Sequence, residues 1–377
     1  MGMTTTRIHQ PVVLSYGLGV DSTAILLRWI HEPASRDFDL DDLVVVTAMT
    51  GDEWRTTGDL VERHILPLLA AHRIRYVQVA RHGPLQADGV TVLDDSRSPR
   101  VLHLAGDYTL SDELLGAGTV PQMGGARLCS AKAKGWPLDT TIERILGPGT
   151  PFRHVIGFEA NEPGRALKDT RSNTTVRTGE YPLIAWGWDR SACEDYIRSV
   201  TGVNWPKSAC VYCPFALSNK TSRARTLALY RQDVPAAVQA LFIEHVSLAF
   251  NERQGLNGEV RLIDLVRADG NQAVLDALDE RLQHTPHAVY HVRRIARPRK
   301  DDPTRIANYA RSVRRVTEPE LLGTFSASEA ADLTEVVRER GDTLPALEEM
   351  FVLAPAVVAD KQDRNFETWW SEATAAA

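Results

Sequence analysis

Cysteine is scarce in this chain: four residues in 377 are too few for a disulfide scaffold. There is no excess of basic charge either. The formal net charge is -6, so no global positive field advertises nucleic-acid binding, and only a local basic stretch would serve that end. No apolar run reaches the roughly 18 residues of a membrane-crossing helix, and the opening MGMTTTRIHQPVV lacks the apolar segment of a secretory signal. A cytoplasmic location without membrane association is the expectation. Internal repeats and low-complexity segments are also absent. What remains is ordinary for a globular protein, 43% hydrophobic and 24% charged residues, in a chain long enough for an ample core and for two domains.

Apolar runs and turn signals alternate through the first half. Residues 11–14 and Leu43–Met49 (LVVVTAM) read as buried strands, and Arg75–Val79 as a third. Helical spacing fills 22–31 and 56–72, where Leu60, Val61, Ile65, Leu68 and Leu69 recur. Asp21 or Ser22 is suited to cap the first of these helices. This alternation predicts an α/β fold, a parallel sheet with flanking helices, continued by 154–157 (HVIG) and 183–186 (LIAW). Residues 81–120, rich in Gly, Asp and Ser, read as an insertion or mobile lid within an N-terminal domain spanning 1–216. From 217 to 377 the pattern is mainly helical, with helices expected over 225–249, 271–283, 303–316 and 328–352.

The stretch SYGLGVDST, residues 15–23, joins the first strand to the first helix. Such a turn offers backbone N–H groups and a positive dipole end to an anion. Gly17 and Gly19 permit close approach, and Ser15, Ser22 and Thr23 supply hydroxyls. A Walker lysine and the third glycine of a dinucleotide fingerprint are both missing. Asp21 would repel phosphate unless Mg²⁺ intervenes, or else it caps the helix. A plain strand–helix turn with an Asp cap is the alternative on spacing alone.

Ser15, Gly17, Gly19, Asp21 and Ser22 resemble the pyrophosphatase loop (SGGxDS or SxGGGxDS) of the adenine nucleotide alpha-hydrolase-like ATP pyrophosphatases and the PAPS reductase family. Leu18 stands where glycine is usual. Thr50-Gly51-Asp52-Glu53-Trp54 is similar to the turn after the family's second strand, and Arg127-Leu128-Cys129-Ser130 with Lys134 and Pro137 to its RxCTxxxKxxP segment. Gly157-Phe158-Glu159, Glu162 and Arg165 fall where the family has GxRxxES..R, and Tyr181–Trp186 resembles its PL-hydrophobic-x-W strand. The resemblance covers roughly residues 10–216, with the motifs in order. It implies a Rossmann-type, HUP-like fold, ATP and Mg²⁺ at the loop with Thr50 and Gly51 beside them, and Asp21, Ser22 and Lys134 in the chemical step.

Cys210-Val-Tyr-Cys213-Pro has the spacing of a two-ligand metal knuckle. With Cys129 it would hold an iron–sulfur cluster or zinc, or the three are metal-free thiols. Cys193 shares a helical face with Tyr196, Ile197 and Val200 and reads as a buried structural cysteine or a fourth ligand. The resemblance implies a [4Fe-4S] cluster, with Ser130 replacing the second cysteine of a pair found in some relatives.

Reductases of this family attack sulfur with a cysteine near the C-terminus, and no cysteine follows Cys213. The resemblance therefore points to the other chemistry, an ATP pyrophosphatase that adenylates an acceptor for sulfur transfer, as in the DNA phosphorothioation and tRNA thiolation enzymes, the former more similar because RLCSAKAKGWP resembles its cysteine segment, with a sulfur donor such as a cysteine desulfurase. A sulfonucleotide reductase using an external thiol and a non-catalytic nucleotide-binding Fe–S scaffold are the alternatives. Arg293, Arg294, Arg297, Arg299, Lys300, Arg305, Arg311, Arg314 and Arg315 form a basic stretch that would hold DNA or tRNA, or is a solvated ion-pairing face. The Trp pair in NFETWWSEA reads as a docking contact.

Overall fold

The computed structural model describes residues 10–121, 123, 127–258, 260–298, 302, 306–322 and 347–375. They form two compact units: Met1–Leu110 with Gly124–Val211, and Ser111–Met123 with Tyr212–Ala377. The boundary thus falls inside the Cys210–Cys213 motif, close to the expected division at 216.

The first unit is an α/β layer structure. Its strands are β1 (Val12–Ser15), β2 (Leu43–Met49), β3 (Arg75–Arg81), β4 (Val90–Ser96), β5 (Phe152–Val155) and β6 (Arg177–Glu180), in the order β4-β3-β2-β1-β5-β6. All neighbours pair in parallel except β4, which runs antiparallel to β3. The helices are α1 (Val20–His31), α2 (Arg55–His64), α3 (Leu66–Ala71), α4 (Leu110–Ala117, all but Leu110 in the second unit), α5 (Leu128–Ser130), α6 (Trp136–Leu146), α7 (Pro163–Asp169), α8 (Pro182–Trp186) and α9 (Arg190–Thr201).

Strands β1 and β2 read as nearly unbroken apolar runs because both sheet faces are covered there. Val12, Leu14, Leu43 and Val45 pack with α1 and α9 on one side, and Val13, Val44, Val46, Val77 and Val79 pack with Ile142 of α6 on the other. Several local expectations change. The first helix starts at Val20 with Gly19 in the cap position and no side-chain cap, so Asp21 lies inside its first turn rather than capping it. The helix expected over 56–72 breaks at Ile65, because Pro67 has no N–H to give the carbonyl four residues earlier. Residues 183–186 are not a strand: Pro182 starts a short helix that Gly187 (φ 69°) ends, and Arg177–Glu180 takes the sheet edge. Within 81–120, read as an insertion or mobile lid, Val90–Ser96 adds an antiparallel edge strand to the sheet.

The second unit carries helices α10 (Lys220–Gln232), α11 (Val234–Phe250), α12 (Leu262–Ala268), α13 (Gln272–His284) and α14 (Phe366–Ala375), of which α10 and α11 fall on the expected 225–249 and α13 on 271–283, while α12 and α14 lie outside the expected ranges. Pro235 at the start of α11 divides what the sequence offered as one helix. The unit also has an antiparallel sheet that the sequence did not announce. Strands β7 (His287–Pro298), β8 (Ile306–Arg315), β9 (Leu347–Pro355) and β10 (Lys361–Gln362) take the order β10-β8-β7-β9. Most of the helix expected over 303–316 is therefore strand, as is 347–352; residues 328–346 lie outside the described ones.

Glu244, 1% exposed in the middle of apolar α11, accepts the backbone N–H groups of Leu256 (2.8 Å) and Leu262 (2.6 Å). Burial raises its pKa while those donors oppose the shift. Glu244→Ala leaves the donors buried without a partner, and chemical denaturation should show a loss of roughly 2–4 kcal/mol.

Candidate functional site

Strand β1 sits between β2 and β5, and the chain leaves it for α1 and β2 on one side while β5 lies on the other. In open parallel sheets the crevice outside the carboxyl ends of such strands is where ligands bind. The segment 15–23 lies there, and so do the ends of β2 (Thr50, Gly51) and β5 (Ile156, Gly157).

Leu18 governs the loop's shape. Its φ is 61°, the left-handed region that favours glycine, at a cost of roughly 1–2 kcal/mol for a residue with a Cβ. Two contacts hold it there. The side chain is 3% exposed within the core, and the indole Nε1–H of Trp205 donates to the Leu18 carbonyl at 2.9 Å. Leu18 therefore adopts the backbone that a glycine would supply. Next to it, a Cβ on Gly19 would lie 3.3 Å from Ser208 Cβ, so the segment 205–208 packs directly on the turn. Gly17 N–H donates to Ser22 Oγ at 3.2 Å, closing the turn from within. Trp205→Phe keeps the ring and removes the donor. Thermal unfolding should show a loss of about 1–2 kcal/mol, with binding of ATP at the loop weakened in parallel.

Asp21 faces Gly157, Glu159 and Arg190. Its Oδ1 and Oδ2 each lie 3.2 Å from a guanidinium nitrogen of Arg190, which also contacts Glu159. No donor reaches the buried Oδ1 in hydrogen-bond geometry. Burial raises the Asp21 pKa to about 7; Arg190 opposes this, while Glu159 and Glu162 add to it. Mg²⁺ characteristically takes one or two carboxylates together with phosphate oxygens, and Glu159 beside the loop fits that donor set. Glu162 in turn accepts from Arg165 (2.7 Å), which lies over the Phe158 ring.

Across the loop, Gly17, Leu18, Thr47, Ala48, Met49, Thr50, Glu53, Leu104 and Lys134 line a small pocket. Lys134 reaches it from a π-helical turn, Ala131–Gly135. That wide turn precedes Pro137, which has no N–H for the carbonyl of Ala133. Glu53 accepts from Ser208 Oγ (2.6 Å) and the Ala209 N–H (3.0 Å), fastening segment 205–210 to β2. Burial raises the Glu53 pKa, and Lys134 pulls it back.

The remaining expected residues divide. Ser15 Oγ lies 2.8 Å from His154 Nε2 at the loop's base. Thr23 is fully buried and bonded to the Tyr16 hydroxyl (3.2 Å), so it faces the core. Gly51 has φ 89°, and a Cβ there would lie 2.3 Å from Thr109. Thr50 Oγ1 lies 3.4 Å from Cys210 Sγ, and burial pushes that thiol up to about 12. Cys193 is 0% exposed in the core, and its thiol is also raised to about 12, by burial first and then by Asp21 and Glu159. Carboxylates beside a cysteine oppose the thiolate that a metal needs. Cys129 is the middle residue of α5, and Cys213 belongs to the second unit. Among the described residues no three His, Cys, Asp or Glu side chains converge as a metal site. Cys193 has the surroundings of a buried core cysteine.

The basic stretch lies on strands rather than a helix face, and several of its arginines are used inside the second unit. Arg293 binds Glu367 and lies 5.1 Å from the Phe366 ring; Arg294 binds Glu348 (3.1 Å); Arg297 lies 3.9 Å over Trp369; Arg311 donates to the Ala117 carbonyl (3.0 Å). The Trp pair docks α14 against Ile295, Ala310 and Leu347. Arg299, Lys300 and Arg305 lie outside the described residues. No helix among the described residues is long and apolar enough to cross a membrane.

Sequence reading missed Arg190, Trp205 and His154, and quoted Glu53 and Glu159 without giving them a role. Only Glu53 and Glu159 had a signal, since each lies within a motif-bearing stretch. No protein-family model, curated protein or solved structure matches the chain.

Proposed function

We propose that this protein is an ATP pyrophosphatase that adenylates an oxygen of an acceptor and so activates it for displacement by sulfur. The observation that carries this reading is the loop backbone. Leu18 in the left-handed conformation, braced by Trp205, turns the end of β1 into the start of α1, whose first turn no side chain caps, so that its N-terminal dipole end suits an anion. Arg190 and Lys134 supply positive charge on the two flanks.

In the step proposed, the acceptor oxygen attacks the α-phosphorus of ATP. The bond from that phosphorus to the bridging oxygen breaks, and pyrophosphate leaves with the electron pair. The acceptor's proton passes to Asp21, whose pKa of about 7 suits a general base at neutral pH. Mg²⁺ at the loop, with Glu159 as its carboxylate ligand, would neutralise charge on the pyrophosphate and leave Asp21 free to act as the base. The raised thiols of Cys193 and Cys210 weigh against a thiolate nucleophile from either residue, so a reductase on this chain would depend on an external thiol. The test is pyrophosphate release from ATP with Mg²⁺, run beside sulfite release from PAPS. ATP-dependent pyrophosphate without sulfite is the expected result; a protein that neither binds nor cleaves ATP overturns the reading.

A further inference from the structure

A chain of four polar side chains runs from the base of the loop to the edge of the sheet. Ser15 ends β1, His154 lies in the neighbouring β5, Arg177 starts β6, and Asp169 ends α7. The links are short: Ser15 Oγ to His154 Nε2 2.8 Å, Arg177 Nε to His154 Nδ1 2.8 Å, Arg177 Nη2 to Asp169 Oδ2 2.6 Å. The chain is well covered, with His154 5% exposed and the side chains of Arg177 and Asp169 13% and 19%. Tyr181 O–H donates to Asp169 (2.8 Å), and Asn173 accepts from Arg177 Nη1 (3.0 Å), so the guanidinium has fixed partners on both sides. Gly179 makes room for this. A Cβ there would lie 2.5 Å from Tyr181 Oη, 3.0 Å from Asp169 Oδ2 and 3.2 Å from Asn173 Oδ1.

The donor inventory sets the direction of every proton. A guanidinium only donates. His154 Nδ1 must therefore accept, the ring is neutral, and its single proton sits on Nε2. That proton can only be given to Ser15 Oγ. The arrangement inverts a nucleophile–base pair, in which the imidazole accepts from the serine. Burial and the adjacent Arg177 charge both work against protonating the ring, lowering its pKa to about 4, while Asp169 opposes them. Asp139 on α6 is a further charged group coupled to Arg177 and Asp169.

We propose that Asp169, Arg177 and His154 are positioning residues that fill the acceptor site of Ser15 Oγ and so commit its hydroxyl to donating a hydrogen bond to a phosphate oxygen bound at the loop. Ser15 is thus a fixed donor for phosphate and not a nucleophile. This role rests on the reading that the loop binds the phosphates of ATP.

The test has two arms, both on the full chain. The first is ¹⁵N NMR of the histidine rings, with the His154 signals assigned by their loss in His154→Gln. His154 should appear as the neutral Nε2–H tautomer down to pH 5, and Arg177→Gln should move its titration up toward the ordinary histidine range. A wild-type Nδ1–H tautomer, or a titration that Arg177→Gln leaves unchanged, overturns the proposal whatever the loop binds. The second arm is calorimetric binding of pyrophosphate and of ATP. Ser15→Ala and His154→Leu should each weaken binding about tenfold, the size of one hydrogen bond, while His154→Gln, whose amide N–H replaces Nε2–H, should stay within about threefold of wild type. Binding that Ser15→Ala leaves untouched overturns the donor role alone. A wild-type protein that binds neither probe overturns the functional reading and this role with it.

Discussion

Asp21→Asn should lower pyrophosphate release by about 10²–10³-fold, the usual range for removing a general base, and at the same time make the protein more stable at pH 8. The two effects have one origin. Burial raises the Asp21 pKa from 3.8 to about 7 despite the Arg190 charge. Below 3.8 the carboxyl is protonated in both the folded and unfolded chain, and it contributes nothing to pH dependence. Between 3.8 and about 7 the unfolded chain has released the proton and the folded chain still holds it, so stability falls as pH rises. Above about 7 both are ionised and the loss is complete. A shift of this size corresponds to about 4 kcal/mol. The asparagine of the variant would remain neutral throughout and escape that loss, while losing the ion pair with Arg190, so a net gain on the order of 1–3 kcal/mol at pH 8 is expected. The rate of the wild-type enzyme should rise through pH 7 as Asp21 ionises, and its Tm should fall between pH 3.8 and about 7 and level off above. A variant that keeps its activity, or whose Tm at pH 8 drops below wild type, refutes the assignment of Asp21 as a buried base.

The parts of the fold that sequence reveals are those whose burial is two-sided or whose turns carry glycine and proline. LVVVTAM is a strand by composition alone, and β2 matches it residue for residue. The Cys193 face of α9 packs into the core as its spacing indicates. Edge strands hide, because they are only partly buried: VTVLDDS in β4 has no fully buried residue and no sustained apolar run. Strand β8 hides for a different reason. Its inward positions include Ala310 and Ser312, small residues with little hydrophobic signal, and its arginines and alanines are good helix formers. The candidate site is legible only where it is local. The loop 15–23 is one continuous stretch, whereas Asp21 meets Arg190, Leu18 meets Trp205, and Ser15 meets His154. Each of those pairs is separated by more than a hundred residues, and no spacing rule reaches that far. Leu18 is the instructive case. As a residue it departs from the glycine the loop resembles, yet its backbone takes the conformation that glycine would take.

The loop's geometry also depends on a residue that has no side chain, and a matched pair of substitutions should expose this. Gly157 follows β5 where that strand passes the start of α1. A Cβ at Gly157 would lie 2.9 Å from Asp21 Cβ, 3.1 Å from Ser22 N and 3.2 Å from the Asp21 carbonyl carbon. Two of these three atoms are backbone and cannot rotate away, so Gly157→Ala must push the first turn of α1 off the sheet. Overpacking of this kind costs about 1–3 kcal/mol. A displacement of the loop approaching ~1 Å would cost on the order of a hundredfold in rate, since the reacting atoms are held by position. Gly164 provides the control. It lies in the first turn of α7, and nothing approaches within 4 Å of a Cβ built there. The same one-methyl change at Gly164 relieves the helix of a glycine and should stabilise the protein by up to about 1 kcal/mol, with pyrophosphate release unchanged. Denaturation midpoints and initial rates for the two variants should therefore move apart. If Gly157→Ala unfolds and turns over like Gly164→Ala, then the close packing of β5 on α1 is not what fixes Asp21 and Ser22, and the loop owes its shape to Leu18 and Trp205 alone.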